Sequence, residues 1–392
     1  MRLPKDLLHF PTNLVYLAGL LYGLVLSMAS TLIPLYLLDL GYGAADIGIV
    51  VSSQGLLQVL LQFAGGVVSD RFGQRVVIGF GFAAYATGVV AIVNSPLYAV
   101  VVLAQMLIGA SRAVYWVAAQ SYVSRSFPGS PGTVLGRLLS FESSGIAIGG
   151  VIAGIEATVL GFNAAFMTCA SICVLGLVAV LVLPELPRSA SVRTLRDSLA
   201  PIPVLLRSRP IVMAGMIAVA ASLSSALVAS LYSVYFTQLN LSKAFIGGLL
   251  SLNAVGTVVV AFSFGAILSF MGVRWVMAFG LVLTGLLTIG TAVAGDVPWA
   301  AALVMLCVGG TFGALRVLYP AIAAGNSIPE QRGVALSAAA FYWGLGQLLV
   351  PATFGFVAEY LGAVGALWIG GGVLVIFGVL SPFVYKWLMK PV

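Results

Sequence analysis

Charge, histidine and cysteine are all scarce in this chain. Only 7% of its 392 residues are charged, against about 25% in an ordinary soluble domain, so the chain lacks the polar surface that water requires and belongs in lipid. Its one histidine, His9, lies in a polar N-terminal stretch, which excludes a buried histidine relay and any site that needs two histidines. The cysteines Cys169, Cys173 and Cys307 lie in apolar runs and are expected as free thiols, without a disulfide framework or a metal site.

Long apolar runs fill most of the sequence, in which 61% of the residues are hydrophobic. Twelve runs are each long enough to cross about 30 Å of hydrocarbon as a helix. They cover about 13–38, 44–68, 75–94, 97–123, 134–159, 163–183, 210–236, 244–268, 274–294, 298–322, 333–358 and 363–388. The pattern predicts an all-α membrane protein with twelve transmembrane helices in two pseudo-symmetric six-helix bundles, 1–183 and 210–392. The polar segment 184–209, with five arginines, is expected to link them.

The basic residues predict how the chain is oriented in the membrane. Of 18, Arg112 and Arg316 lie inside apolar runs and Lys243 lies in an outer link, while the other 15 lie near the termini or in links on one side. Because cytoplasmic loops carry an excess of Lys and Arg, both termini are expected in the cytoplasm and the chain in the plasma (inner) membrane. The same distribution accounts for the net charge of +7, so no nucleic-acid partner is expected.

Arg112 and Arg316 lie in matching peptides, GASRAVYW (109–116) and GALRVLYP (313–320), whose Gly, Ala, Arg and Tyr residues are in register. A charge at bilayer depth costs a few kcal/mol or more, so it rarely occurs there without a partner or a role. Its reappearance in a second copy indicates two related bundles with a polar site between them.

A loop motif follows the second run. Residues 65–75 read GGVVSDRFGQR, and GAILSFMGVR (265–274) repeats part of the pattern in the second half. The first copy matches the signature G-x-x-x-D-R-x-G-x-R/K at Gly66, Asp70, Arg71, Gly73 and Arg75. With the twelve runs and the central linker, the motif makes the whole chain resemble the major facilitator superfamily. The resemblance implies a transporter whose two halves rock about a central cavity and expose it to each side in turn.

The resemblance also implies a role for the loop motif. Asp70 would dock against the start of the eleventh run, near Gly333, in one state and release it in the other. The positive end of a helix dipole stabilises a nearby anion by about 0.3–1 kcal/mol. The alternative is that Asp70 to Arg75 only anchor a loop among lipid headgroups.

Glu142 is the deep acid of the first half. It lies about 12 Å from the cytoplasmic side, and Arg112 lies roughly 15–18 Å from that side, at about 1.5 Å per helical residue. Three interpretations are open. An apolar site favours a neutral carboxylic acid, so Glu142 could carry a proton and couple transport; it could form a static ion pair with Arg112; or the two could have no contact.

Arg316 has no acid on the neighbouring eleventh run, where Tyr342 takes the place of Glu142. Its guanidinium is therefore a candidate for binding an anionic or carbonyl oxygen of a substrate, or else backbone carbonyls and water. Other polar and aromatic residues at mid-span would form an amphipathic pocket if they faced the interface, although packing explains each one singly. They are Tyr22, Gln54, Gln58, Tyr115, Tyr232, Asn253, Tyr319, Tyr342 and Gln347.

No GxxxxGK[ST] loop is present, so energy should come from an ion gradient rather than from a nucleotide. The sequence also lacks a catalytic constellation, which argues against an enzyme. The prediction is a cofactor-free, monomeric secondary transporter that exports a small amphipathic or anionic molecule by proton antiport in contact with membrane lipid. The alternatives are proton-symport uptake of an organic anion or sugar-like nutrient, and a lipid scramblase or receptor on the same scaffold.

Overall fold

The structure is a computed structural model that describes residues 5–63, 68–69, 71–126, 131–186, 202–327 and 332–389. Within these ranges the chain forms eleven helices and no strands. The first half supplies six long helices, spans 1 to 6. Their bounds are Lys5–Asp39, Ala44–Leu61, Gln74–Asn94, Tyr98–Ser126, Pro131–Val159 and Phe162–Leu181. Each is long and apolar enough to cross a membrane.

The second half begins after a short linker helix, Ile202–Leu206, with span 7 at Arg209–Gln238. Two of its helices, of 52 and 57 residues, each contain one glycine with non-helical backbone angles. Each is long enough for two crossings, since a helix rises about 1.5 Å per residue. Lys243–Ala294 is spans 8 and 9, divided at Gly272; Pro298–Gly325 is span 10; and Arg332–Leu388 is spans 11 and 12, divided at Gly362. The twelve predicted transmembrane helices are confirmed.

The backbone repeats its turns in the two halves. In the described chain, six residues have a positive φ, a conformation that residues other than Gly and Asn rarely adopt. They form three pairs with a nearly constant offset in residue number: Gly41 and Asn240, Gly73 and Gly272, and Gly161 and Gly362. The second half therefore repeats the chain path of the first, as two related bundles require.

Glycines let neighbouring helices lie backbone to backbone. A Cβ on Gly109 of span 4 would stand 3.1 Å from the Cα of Gln54 in span 2. At the equivalent place in the second half, a Cβ on Gly309 would stand 2.9 Å from the Cα of Asn253. Close packing of this kind replaces the hydrophobic drive that is missing between helices in lipid, which explains many of the 46 glycines of the sequence.

The two halves pack most extensively along two seams. Span 2 packs on span 11, where a Cβ on Gly48 would stand 3.1 Å from the Cα of Gly355. Span 5 packs on span 8, where Gly150 and Gly154 face Gly247. Both contacts lie toward the face that the topology predicts to be external. The domain boundaries at 183 and 210 stay a prediction, since residues 187–201 of the linker lie outside the described residues.

Candidate functional site

Glu142 of span 5 is buried, with 2% of its surface exposed. Gly23 of span 1 positions it, because the lack of a side chain there lets the two helix backbones touch at Glu142. Oε1 of Glu142 has no hydrogen-bond partner among the described residues. The charges of Arg316 and Arg112 both act on this carboxyl, so one acid lies in the electric field of an arginine from each half.

Glu142 does not form a direct ion pair with either arginine. No nitrogen of Arg112 or Arg316 lies within 4.0 Å of a carboxylate oxygen of Glu142, unlike Lys243 and Asp39, which do form an ion pair. Nε of Arg112 is also buried without a hydrogen-bond partner among the described residues. The static Arg112–Glu142 pair, one of the three interpretations, is therefore absent. Glu142 Oε1 and Arg112 Nε both lack a hydrogen-bond partner among the described residues. A buried polar atom without a partner costs about 1–3 kcal/mol, which a bound ligand or proton can recover.

Two stacked tyrosines stand beside this acid. The rings of Tyr22 and Tyr115 lie 3.5 Å apart at their centroids, with 4° between their planes. Tyr22 Oη lies 3.1 Å from Oγ of Ser111, which in turn donates to the carbonyl of Gly81 at 2.6 Å. Glu142 acts electrostatically on both tyrosines, and Arg112 acts on Tyr22. The structure thus brings four of the predicted site residues together.

A second aromatic wall stands beside Arg316. Tyr319 lies in its field and stacks on Trp343 of span 11, with 5.9 Å between ring centroids and 19° between planes. Phe312 lies 6.0 Å from the same indole ring. Phe312, Arg316 and Tyr319 are spaced i, i+4 and i+7, which places them on one face of span 10. Phe312 was missed in the sequence, where only its helical spacing from Arg316 marks it.

Four other predicted site residues make their contacts within the second half or with the linker helix. The structure places these side chains in contacts that hold helices together, and it does not bring them to the Arg–Glu cluster. Tyr342 Oη donates to the carbonyl of Leu206 at 3.0 Å, Gln347 Nε2 to that of Ser222 at 3.3 Å, and Asn253 Nδ2 to that of Met305 at 3.3 Å. Tyr232 is buried, and its ring lies 6.0 Å from that of Phe236. Their assignment to the substrate site stays a prediction.

Gln54 and Gln58 remain candidates on span 2. They are four residues apart and share one face. The amide of Gln58 is 8% exposed, and its Oε1 has no hydrogen-bond partner in the part of the chain that the structure describes.

The loop motif is only partly visible. Gly66 and Asp70 lie outside the described residues, so the docking of Asp70 stays a prediction. Gly73 has a φ of +90° and begins span 3, as its turn position requires. Arg71 is exposed, 5.7 Å from the ring of Phe72, and Arg75 lines a cleft with Glu185 at the start of the linker.

Comparison with protein families identifies the family of this chain. The model of the Major Facilitator Superfamily matches residues 15–236 and 214–392. The chain belongs to the Major Facilitator Superfamily. The matched regions include Arg112, Glu142 and Arg316.

Curated relatives match over shorter stretches. The chain is 24% identical over 153 residues to the Quinolone resistance protein NorA of Staphylococcus aureus, an alignment that covers 39% of this chain and 38% of NorA. It is 30% identical over 139 residues to the Inner membrane transport protein YdiM of Escherichia coli, covering 35% of this chain and 34% of YdiM. The aligned part is thus little more than a third of each relative.

Solved structures show the same fold over nearly the whole chain. The nucleoside transporter NupG superposes with a TM-score of 0.79 at 14% identity, covering 97% of this chain and 100% of NupG. A D-xylose-proton symporter superposes with a TM-score of 0.74 at 18% identity, covering 94% of this chain and 96% of the symporter. Family membership and these relatives point to a multi-pass membrane transporter rather than an enzyme.

Proposed function

We propose that this protein is a proton-coupled secondary transporter that moves a small amphipathic organic anion by alternating access. The observation that carries the proposal is Glu142, a buried acid with an open oxygen under the charges of Arg112 and Arg316. One arginine comes from each half, so a molecule bound by both would bridge the halves. The partly exposed rings of Tyr319 and Trp343 supply apolar surface beside Arg316. The stacked Tyr22 and Tyr115 are buried and support the cluster from within the first half.

The charge of the site sets the coupling. Two guanidiniums and one carboxylate carry a net charge of +1, which becomes +2 when Glu142 binds a proton. An anion is therefore held more tightly by the protonated site, and by reciprocity a bound anion favours the proton on Glu142. Couplings of this kind change affinity about 5- to 150-fold. Because proton and anion reinforce each other, the site favours symport of an anion, the alternative raised from the sequence, over antiport.

A second candidate function is export in exchange for protons. The relative named Quinolone resistance protein NorA, 24% identical over 153 residues, favours it. A cationic or zwitterionic amphipathic substrate would compete with the proton for Glu142, and mutually exclusive binding is what antiport requires. The sign of the substrate's charge thus separates the two candidates.

The remaining assignments follow from the same site. The proposed partners are the substrate, protons and surrounding lipid, and a monomer suffices because one chain supplies both arginines. The proposed location is the plasma (inner) membrane with both termini in the cytoplasm, from the distribution of basic residues. The proposed domains are 1–183 and 210–392 with 184–209 between them.

Proteoliposomes with an imposed pH gradient test the proposal. The probes are an aryl sulfonate, which stays ionised at the working pH and therefore crosses lipid poorly by itself, and a quaternary aryl ammonium ion. The expected result is accumulation of the sulfonate on the alkaline side, in the direction of proton flow. Accumulation of the ammonium ion on the acidic side instead would favour the antiport candidate. Movement of neither probe, with rapid lipid exchange between leaflets, would contradict both and favour a scramblase.

A further inference from the structure

Lys243 bridges the two halves at the predicted external face. It begins span 8 in the second half, and its Nζ lies 3.0 Å from Oδ1 of Asp39, the last residue of span 1. The same Nζ lies 4.0 Å from the ring centroid of Phe162, the first residue of span 6. Both partners belong to the first half. Lys243 is also the basic residue that departs from the cytoplasmic bias of the others.

Two helix starts at this face find partners across the same seams. The backbone N–H of Ala244, in the first turn of span 8, donates to Oγ1 of Thr158 in the last turn of span 5 at 3.0 Å. The N–H of Ala45, in the first turn of span 2, makes a longer contact of 3.5 Å with Oε2 of Glu359 in span 11. First-turn N–H groups have no partner inside their own helix. Each half thus satisfies donors of the other.

These two contacts occupy equivalent places in the repeat. Ala45 and Ala244 have the same offset in residue number as the repeated turns Gly73 and Gly272. Thr158 and Glu359 have the same offset as the turns Gly161 and Gly362. The Lys243 contacts have no such counterpart. The first residue of span 8 is Lys243, whereas the first residue of span 2 is Ala44, which has no charged side chain. Lys243 is therefore an addition specific to one seam.

We propose that Asp39, Thr158, Phe162, Lys243 and Glu359 form an external latch that holds the external face closed and must open for that face to admit substrate. Lys243 is its central residue, because one side chain contacts two spans of the opposite half. The latch rests on the alternating access of the proposed function but not on Glu142 or on proton coupling.

The size of the expected effect follows from exposure. Lys243 and Asp39 side chains are 34% and 52% exposed, and an ion pair in water contributes little by itself. The ring of Phe162 adds a cation–π contact. Together, loss of the Lys243 side chain should shift the ratio of closed to open molecules about 3- to 30-fold toward open.

A buried reporter residue tests the latch. Ser251 of span 8 is 4% exposed and lies against Gly150, beneath the latch. The reporter is Ser251→Cys with Cys307→Ser, since Cys169 and Cys173 are buried and Cys307 is exposed. The measurement is the rate at which a membrane-impermeant maleimide applied to intact cells modifies the reporter. It needs neither substrate nor a proton gradient, so failure of the coupling proposal would leave it unaffected.

Lys243→Ala is expected to raise the modification rate about 3- to 30-fold. Asp39→Asn, which keeps the side-chain shape but removes the charge, and Phe162→Leu, which stays apolar but removes the aromatic ring, should each raise it by a smaller factor. The matched control is Asp296→Asn, which removes an exposed acid at the same face and should leave the rate unchanged. Rates within twofold of the reporter background for Lys243→Ala, Asp39→Asn and Phe162→Leu, in variants that elute as folded monodisperse protein, would overturn the latch.

Discussion

Gly247 of span 8 lies so close to Gly154 of span 5 that a Cβ on Gly247 would stand 3.0 Å from the Cα of Gly154. The next residue, Gly248, has no atom within 4 Å of the place its Cβ would take. Two adjacent glycines of one helix therefore have different surroundings. Gly247 lets the halves touch at the predicted external end of the seam, while Gly248 does not.

Gly247→Ala should push spans 5 and 8 apart at this seam. Overpacking of a tight contact typically costs about 1–3 kcal/mol, and here the cost falls on the externally closed state. The expected result is faster modification of the Ser251→Cys reporter and a lower thermal unfolding temperature. Gly248→Ala is the control, which should leave the modification rate unchanged and should not lower the unfolding temperature, since alanine favours a helix more than glycine does. Equal effects of the two substitutions would show that the seam is not close-packed as described.

Arg316→Ala and Arg112→Ala should each weaken binding of the aryl sulfonate. Loss of a charge-assisted hydrogen bond typically costs about 1.5–3 kcal/mol, or roughly 10- to 150-fold in affinity. The measurement is isothermal titration of the purified variants, with Arg71→Ala as the control because Arg71 is exposed in the loop motif. Unchanged affinity in both variants would remove the anion site.

Tyr342→Phe should affect stability but not binding. The substitution removes one hydrogen bond to the carbonyl of Leu206, worth about 0.5–1.5 kcal/mol, and keeps the ring that packs on Gly215. A lower unfolding temperature with an unchanged dissociation constant is expected. The reverse result, normal stability and weakened binding, would return Tyr342 to the substrate pocket in which the sequence placed it.

Asp70→Asn should slow transport while leaving expression and folding nearly intact. The carboxylate is predicted to dock at the positive start of span 11, where the helix dipole contributes about 0.3–1 kcal/mol. The check is the initial transport rate in vesicles, normalised to folded protein. Full activity of this variant would mean that the loop motif only anchors the loop.

The fold and the charged centre could be predicted because both leave strong marks in a sequence. A long run of apolar residues has few structural solutions, and a charge in lipid is costly enough to be informative, which singled out Arg112, Glu142 and Arg316. Uncharged polar residues are less informative. Asn253 and Gln347 bond carbonyls of neighbouring helices, and nothing in the sequence distinguishes such a partner from a substrate.

The external latch also escaped prediction, since Asp39 and Lys243 are 204 residues apart in the sequence and meet only in the folded protein. The one sign of the latch in the sequence is Lys243, a basic residue on the predicted external side, whereas the other basic residues outside the apolar runs lie on the cytoplasmic side. The position of Lys243 departs from the positive-inside pattern and so suggests that this residue has a partner, but the sequence does not show which residues it contacts.

Glu142→Gln tests the central claim most directly. Glutamine keeps the shape of the side chain but cannot gain or lose a proton. In proteoliposomes the variant is predicted to lose accumulation of the aryl sulfonate driven by the pH gradient, while it still exchanges labelled for unlabelled sulfonate when the pH is equal on both sides. Accumulation at the unsubstituted level in response to the same gradient would contradict proton coupling through Glu142.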